Sequence, residues 1–86
     1  EGARQIERDD EHVIWCSKDT EDGSYYMAVF NLKEQNCDVT IPWENVTNYG
    51  VTGRKAVELW SNEETDFTDK ENVFVASHGA KLFKIL

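Results

Sequence analysis

No part of this sequence is apolar for long. The longest run, Tyr25-Tyr26-Met27-Ala28-Val29-Phe30, is a strand's worth. It falls far short of the roughly 20 residues that a membrane-spanning helix needs. Basic residues are also scarce. Nine Lys and Arg stand against 17 Asp and Glu, for a net charge of −8. The cations are scattered, and an acidic surface repels phosphate backbones and anionic lipid. Nucleic acid and membrane are therefore excluded as partners. Helical periodicity, internal repeats, low-complexity tracts and linkers are all missing. The chain opens charged, on Glu1-Gly2-Ala3-Arg4, so no signal peptide is read there, which says nothing of compartment. Cysteine is sparse too. A small secreted domain built on disulfides would carry more than Cys16 and Cys37. Both fall in apolar strand patterns and read as free, buried thiols rather than a bridge. An immunoglobulin arrangement is excluded, because Trp15 immediately precedes Cys16 instead of lying well between two cysteines.

What is present is a period of two. The 86 residues are 40% apolar and 30% charged, a one-domain length with an ordinary globular balance. Residues 12–17 alternate, with Val13 and Trp15 on one face and Ile14 and Cys16 on the other. The polar stretch that follows ends in Asp22-Gly23, a strong hairpin signal. A second strand covers 24–32. After Lys33-Glu34-Gln35-Asn36 comes the cleanest alternation: Cys37, Val39 and Ile41 inward, Asp38 and Thr40 outward. Pro42 has no N–H to donate and ends it. Residues 43–53 form a longer loop with room for a helical turn. Further strands are expected over 54–61, 73–76 and 80–86, with an acidic loop over 62–72 that has room for a short strand near Phe67. The pattern predicts an all-β antiparallel sandwich of about six to eight strands with Greek-key-like connections. The expected core is Val13, Trp15, Ala28, Phe30, Val39, Ile41, Val57, Leu59, Val75 and Leu82.

Reacting groups do not assemble in this pattern. Most of the carboxylates fall in turns, among them Asp9, Asp10, Asp19, Glu21, Asp22, Glu63, Glu64 and Asp69. A catalytic pair must be held rigidly, with one partner desolvated, so no catalytic residue is assigned. The Asp19, Glu21, Asp22 cluster supplies oxygens but lacks the EF-hand spacing and reads as a solvated turn. His78, beside Gly79, reads as a turn histidine. With His12, Cys16 and Cys37 it shows no ligand spacing, so no metal or cofactor is expected.

The run Asp22-Gly23-Ser24-Tyr25-Tyr26-Met27-Ala28-Val29-Phe30-Asn31-Leu32 resembles a hairpin strand in the C-terminal domain of α-galactosidases and α-N-acetylgalactosaminidases. His12-Val13-Ile14-Trp15, Ile41-Pro42-Trp43, Val57-Glu58-Leu59-Trp60 and the segment 75–85 containing His78-Gly79 resemble further family motifs in the same order. Gly2-Ala3-Arg4-Gln5-Ile6 resembles the hand-over from the family's barrel. Ala76-Ser77 departs from the family's frequent proline pair, Cys16 from its usual small residue, and the loop after Trp43 is longer. The resemblance implies a junction over 1–11 and a C-terminal sandwich over 12–86. It implies a preceding (β/α) barrel in the same polypeptide, a retaining glycoside hydrolase whose two aspartates lie upstream. It also implies a secreted, periplasmic or lysosomal setting.

The residues thus read as a non-catalytic accessory domain that supports a barrel. Strand 24–32 is apolar on both faces, which a half-wet antiparallel strand is not. The face Tyr25, Met27, Val29 is the expected inter-domain contact. The alternative is a carbohydrate-binding module, since Trp15, Trp43, Trp60, Tyr25, Tyr26 and Tyr49 are many aromatics for this length. Family positions put the tryptophans in the core, which leaves Tyr49 as the expected exposed ring. Asn45-Val46-Thr47 is a sequon that makes Asn45 a candidate for N-glycosylation in a eukaryotic source.

Overall fold

The computed structural model describes residues 2–86. Eight strands and one short helix follow in the order β1 Gly2–Arg8, β2 His12–Lys18, β3 Tyr25–Asn31, β4 Cys37–Thr40, α1 Trp43–Tyr49, β5 Lys55–Glu58, β6 Glu63–Asp66, β7 Asn72–Val75 and β8 Ala80–Ile85. Six strands form one sheet in the order β1-β2-β3-β8-β5-β6, and β4 pairs with β7 in a second. Every pairing is antiparallel. The all-β sandwich expected from the sequence is what the chain forms. No described helix is long and apolar enough to cross a membrane.

Local chemistry sets the turns. Between β2 and β3, Asp19 Oδ1 accepts from Glu21 N–H and Asp22 Oδ1 from Ser24 N–H. These Asx bonds satisfy the turn's backbone, and Gly23 supplies the positive φ of 77°. The acidic cluster is thus consumed by turn formation. His78 also sits in a turn, at φ 52°, and its N–H donates to Lys33 O at 3.1 Å. Residues 43–49 form a full helix rather than a single turn. It is seated by buried Val46 and closed at Gly50, whose φ of 133° suits glycine alone.

The segment expected as a junction carries regular structure of its own. Gly2–Arg8 is an edge strand, paired with β2 from Gly2↔Lys18 to Arg8↔Val13. The register shifts between Gln5 and Glu7, a bulge that leaves Ile6 to pack against the core. Its mixed charges masked the alternation, and charge on an edge strand discourages pairing with a second chain. The other edge, β6, is the acidic Glu63-Glu64-Thr65-Asp66. Glu1 lies outside the described residues.

The core lies between the two sheets. The large sheet contributes Ile14, Cys16, Met27, Val29, Ala56, Phe83 and Ile85; the small sheet contributes Val39, Val73 and Val75. Ile41, Val46, Val51 and Phe67 close the ends. The expected core was right for Val39, Ile41 and Val75, and Val13 is buried too, though it stands in register with Phe30 outside the cluster between the sheets. It was wrong for Trp15, Ala28, Phe30, Val57, Leu59 and Leu82, which line the outer face of the large sheet. The period of two was read correctly and the faces were exchanged. In β2, β3 and β8 both faces are apolar, so alternation carries no sign. In β5 the inward residues are Ala56 and Glu58, and hydropathy places Glu58 outside.

Candidate functional site

The large sheet's outer face is the candidate site. Pairing register puts Trp15, Ala28 and Leu82 abreast on β2, β3 and β8. Leu59 N–H donates to Leu82 O at 2.8 Å, so the row continues to the end of β5. Val13, Phe30 and Ala80 form the next row, and Ser17, Tyr26, Lys84 and Val57 the one beyond. Phe30 is 37% exposed and Leu59 41%. A sheet face open to water is ordinarily polar. Here apolar side chains run across β2, β3, β8 and the end of β5, an unusual composition for an open face.

The residues singled out by sequence lie elsewhere. Met27 and Val29 are 0% exposed and belong to the core. Tyr25 packs against the same core, edge-on to Tyr49 with ring centroids 6.0 Å apart. The three expected contact residues thus face the sandwich's own core, and the side chains of β3 that stand on the opposite face are Tyr26, Ala28 and Phe30. The signal was present in a strand apolar on both sides, but which side met the second sheet was not. Tyr49, expected as the exposed ring, is half-buried. Trp60 is instead the open ring, 68% exposed at the turn after β5. Trp43 is covered, by Phe67 at 5.2 Å between centroids and by the Arg54 guanidinium at 4.5 Å from its ring. Asn45 is exposed on α1, and the Thr47 hydroxyl of its sequon accepts from Arg54 Nη2 at 2.9 Å.

Titratable groups serve the fold. Asp9 is held below the usual carboxylate range by the backbone N–H groups of Glu11 and His12. Asp22 is lowered by the backbone and side chain of Ser24, and Asp66 by the hydroxyl and N–H of Thr68. Glu58 is buried, and that burial pushes its acidity down. Hydrogen bonds from Ser61, Trp60 and Leu82 together outweigh it, leaving the carboxyl below its ordinary value. Burial pushes the Cys16 thiol up to about 11. Cys16 and Cys37 are both free thiols, the first buried and the second half-buried. His12 bonds Glu7 through Nε2 and lies 3.5 Å from Asp9 Oδ1 through Nδ1. Among the described residues no three His, Cys, Asp or Glu side chains converge as metal ligands.

The chain is similar to a GH27 β-L-arabinopyranosidase from Geobacillus stearothermophilus, at 29% identity over 98% of its length with a TM-score of 0.73. A variant of that enzyme in complex with arabinose matches at 28% identity, over the same 98%, with a TM-score of 0.73. A Bacillus halodurans C-125 protein, assigned provisionally as an α-N-acetylgalactosaminidase, shares the fold at 20% identity over 96% of this chain with a TM-score of 0.77. The chain spans 19% of the length of each. No curated protein matches it. Residues 9–85 match the family model described as the alpha galactosidase C-terminal beta sandwich domain. That match takes in every strand from β2 to β8, and the chain belongs to this family of C-terminal β-sandwich domains.

Proposed function

We propose that this chain is the non-catalytic accessory domain of an α-galactosidase-type glycoside hydrolase, covering and stabilising a preceding (β/α) barrel. The observation that carries the reading is the apolar outer face of the large sheet, from Trp15 to Leu59. Inter-domain interfaces bury roughly 600–1,500 Å². At about 25 cal/mol per Å², some 600 Å² of apolar contact contributes about 15 kcal/mol before ordering costs.

Three further points support the division of labour. The carboxyls with displaced acidity, Asp9, Asp22, Glu58 and Asp66, are all lowered by hydrogen bonds that hold them ionised. A glycosidase acid must instead be raised, so the retaining pair is assigned to the barrel. The similar enzymes are also named for different sugars, which favours a sandwich that does not choose the sugar. Asn45 is open on α1 and suits a glycan in a eukaryotic host.

The test is removal of the sandwich from the full-length hydrolase. The barrel should unfold at a lower temperature, and the 86-residue chain alone should not turn over an aryl α-galactoside. Turnover by the chain alone, or an unchanged melting temperature, refutes the proposal. Carbohydrate binding is a second reading with one observation in its favour, the open Trp60 ring, which offers a stacking face to a pyranose. Movement of the Trp60 indole resonance on adding galacto-oligosaccharides would establish it; a static resonance would exclude it.

A further inference from the structure

The outer face contains a feature that flat apolar contact does not require. Ala28 stands at the centre of a cross. Tyr26 and Phe30 flank it along β3, and Trp15 and Leu82 face it from β2 and β8. Same-face neighbours on a pleated sheet stand within reach of one another. One methyl group among four large side chains therefore leaves a hole. The hollow holds about 380 Å³ and extends past Ser17 to Ala3 on the edge strand. It contains no charged side chain, and Ser17, the Tyr26 hydroxyl and the Trp15 indole are its few polar groups. A sugar needs several converging polar partners and is poorly served there. An apolar side chain is well served.

We infer that the hollow over Ala28 is a socket for one bulky apolar side chain, leucine or an aromatic, carried by the upstream barrel of the same polypeptide. This rests on the docking role proposed above. Two observations commit the socket to that occupant. The similar hydrolases devote only 19% of their length to this domain, so most of such a polypeptide lies outside the sandwich. The first strand also forms the hollow's rim through Ala3, so the start of the sandwich stands beside the hollow. An inserted side chain would be gripped by hydrocarbon on four sides, as anchor residues are at the centres of protein interfaces.

The experiment uses the full-length hydrolase. Ala28→Leu and Ser17→Leu fill the socket without reaching the core, whereas Leu59→Ser weakens the apolar face outside the hollow and leaves the socket open. Limited proteolysis between barrel and sandwich reads the population of undocked molecules. Each filling variant should raise cleavage roughly ten- to a hundredfold, as overpacking does, and Leu59→Ser by less than about threefold. If Leu59→Ser raises cleavage while the filling variants do not, the face docks without a socket and this inference falls alone. If none of the three changes cleavage, the docking role falls with it. Loss of the β-sheet circular dichroism in both filling variants would make these positions structural and also overturn the inference.

Discussion

Asn31 is the buried side chain on which the two sheets are most directly tied, and its replacement tests the packing described above. It is 1% exposed at the end of β3. Its Nδ2 donates to Gln35 O at 2.8 Å, Val75 O at 3.0 Å and Ala76 O at 3.2 Å. Oδ1 accepts from Lys33 N–H at 2.9 Å. One amide thus fixes the turn into β4 and the end of β7. Each such bond is worth about 1 kcal/mol net, and a buried group left without a partner costs about 1–3 kcal/mol. Asn31→Ala should therefore lose roughly 3–4 kcal/mol. An 86-residue domain has about 4–13 kcal/mol in all, so this is roughly a quarter of it or more.

Asn31→Asp makes the test sharper. Its second oxygen replaces Nδ2 and faces three carbonyl oxygens, so its ionised form is opposed and its acidity in the folded chain is reduced. A carboxyl whose folded pKa is raised favours folding below the unfolded value, near 4, and loses that benefit as pH rises through the folded value. The penalty relative to the parent should be least below about pH 4 and full near neutrality. Urea unfolding followed by tryptophan fluorescence, with parent and variant compared at each pH, gives both quantities. A cost for Asn31→Ala within about 0.5 kcal/mol, the range of an ordinary surface change, refutes the reasoning. A pH-independent cost for Asn31→Asp does the same.

Three other outcomes follow from the geometry. At pH 8 an aromatic disulfide reagent should label Cys37 rapidly and Cys16 only on unfolding, because burial pushes the Cys16 thiol to about 11; equal rates at both would contradict this. Gly50→Ala would bring a Cβ within 2.7 Å of the Tyr25 hydroxyl at a φ of 133°, and should cost about 1–3 kcal/mol in the same urea assay. Asp9, Asp22, Glu58 and Asp66 all have lowered values, so their contribution is full above the ordinary carboxylate range, near pH 4, and is lost as pH falls through their folded values. The urea midpoint should be level near neutrality and drop under acid, and a midpoint that rises on acidification would refute the assignment.

How much was legible in the sequence varied from strand to strand for a physical reason. In β4, Asp38 and Thr40 separate the apolar positions, so the inward face could be named, and Val39 and Ile41 are buried there. The turns were equally plain, because Asp19, Asp22 and Gly23 each have a local structural role that depends on no distant partner. Edge strand β1 was missed because its charges hide a period of two. The core faces of β2, β3 and β8 were missed because Ile14 against Trp15, or Val29 against Phe30, is no choice at all on hydropathy. Glu58 misled outright. Its carboxylate collects the amides of Trp60 and Ser61 at the end of β5, a role that only the folded turn reveals.

The same ambiguity bears on what the domain does. A strand that must be buried against only one neighbour can keep a polar face, and selection for solubility favours one. β3 keeps none on either side. Its inner residues Met27 and Val29 are accounted for by the second sheet. Tyr26, Ala28 and Phe30 face no second sheet among the described residues, yet they are nearly as apolar as the inner set. The core cluster between the sheets does not include them, so its packing does not account for their apolar character. The sequence therefore meets two burial demands along one strand. On the docking role proposed above, the second demand is met by a surface of the barrel, and this is why the face choice was undetermined in the sequence and becomes informative once the first sheet is placed.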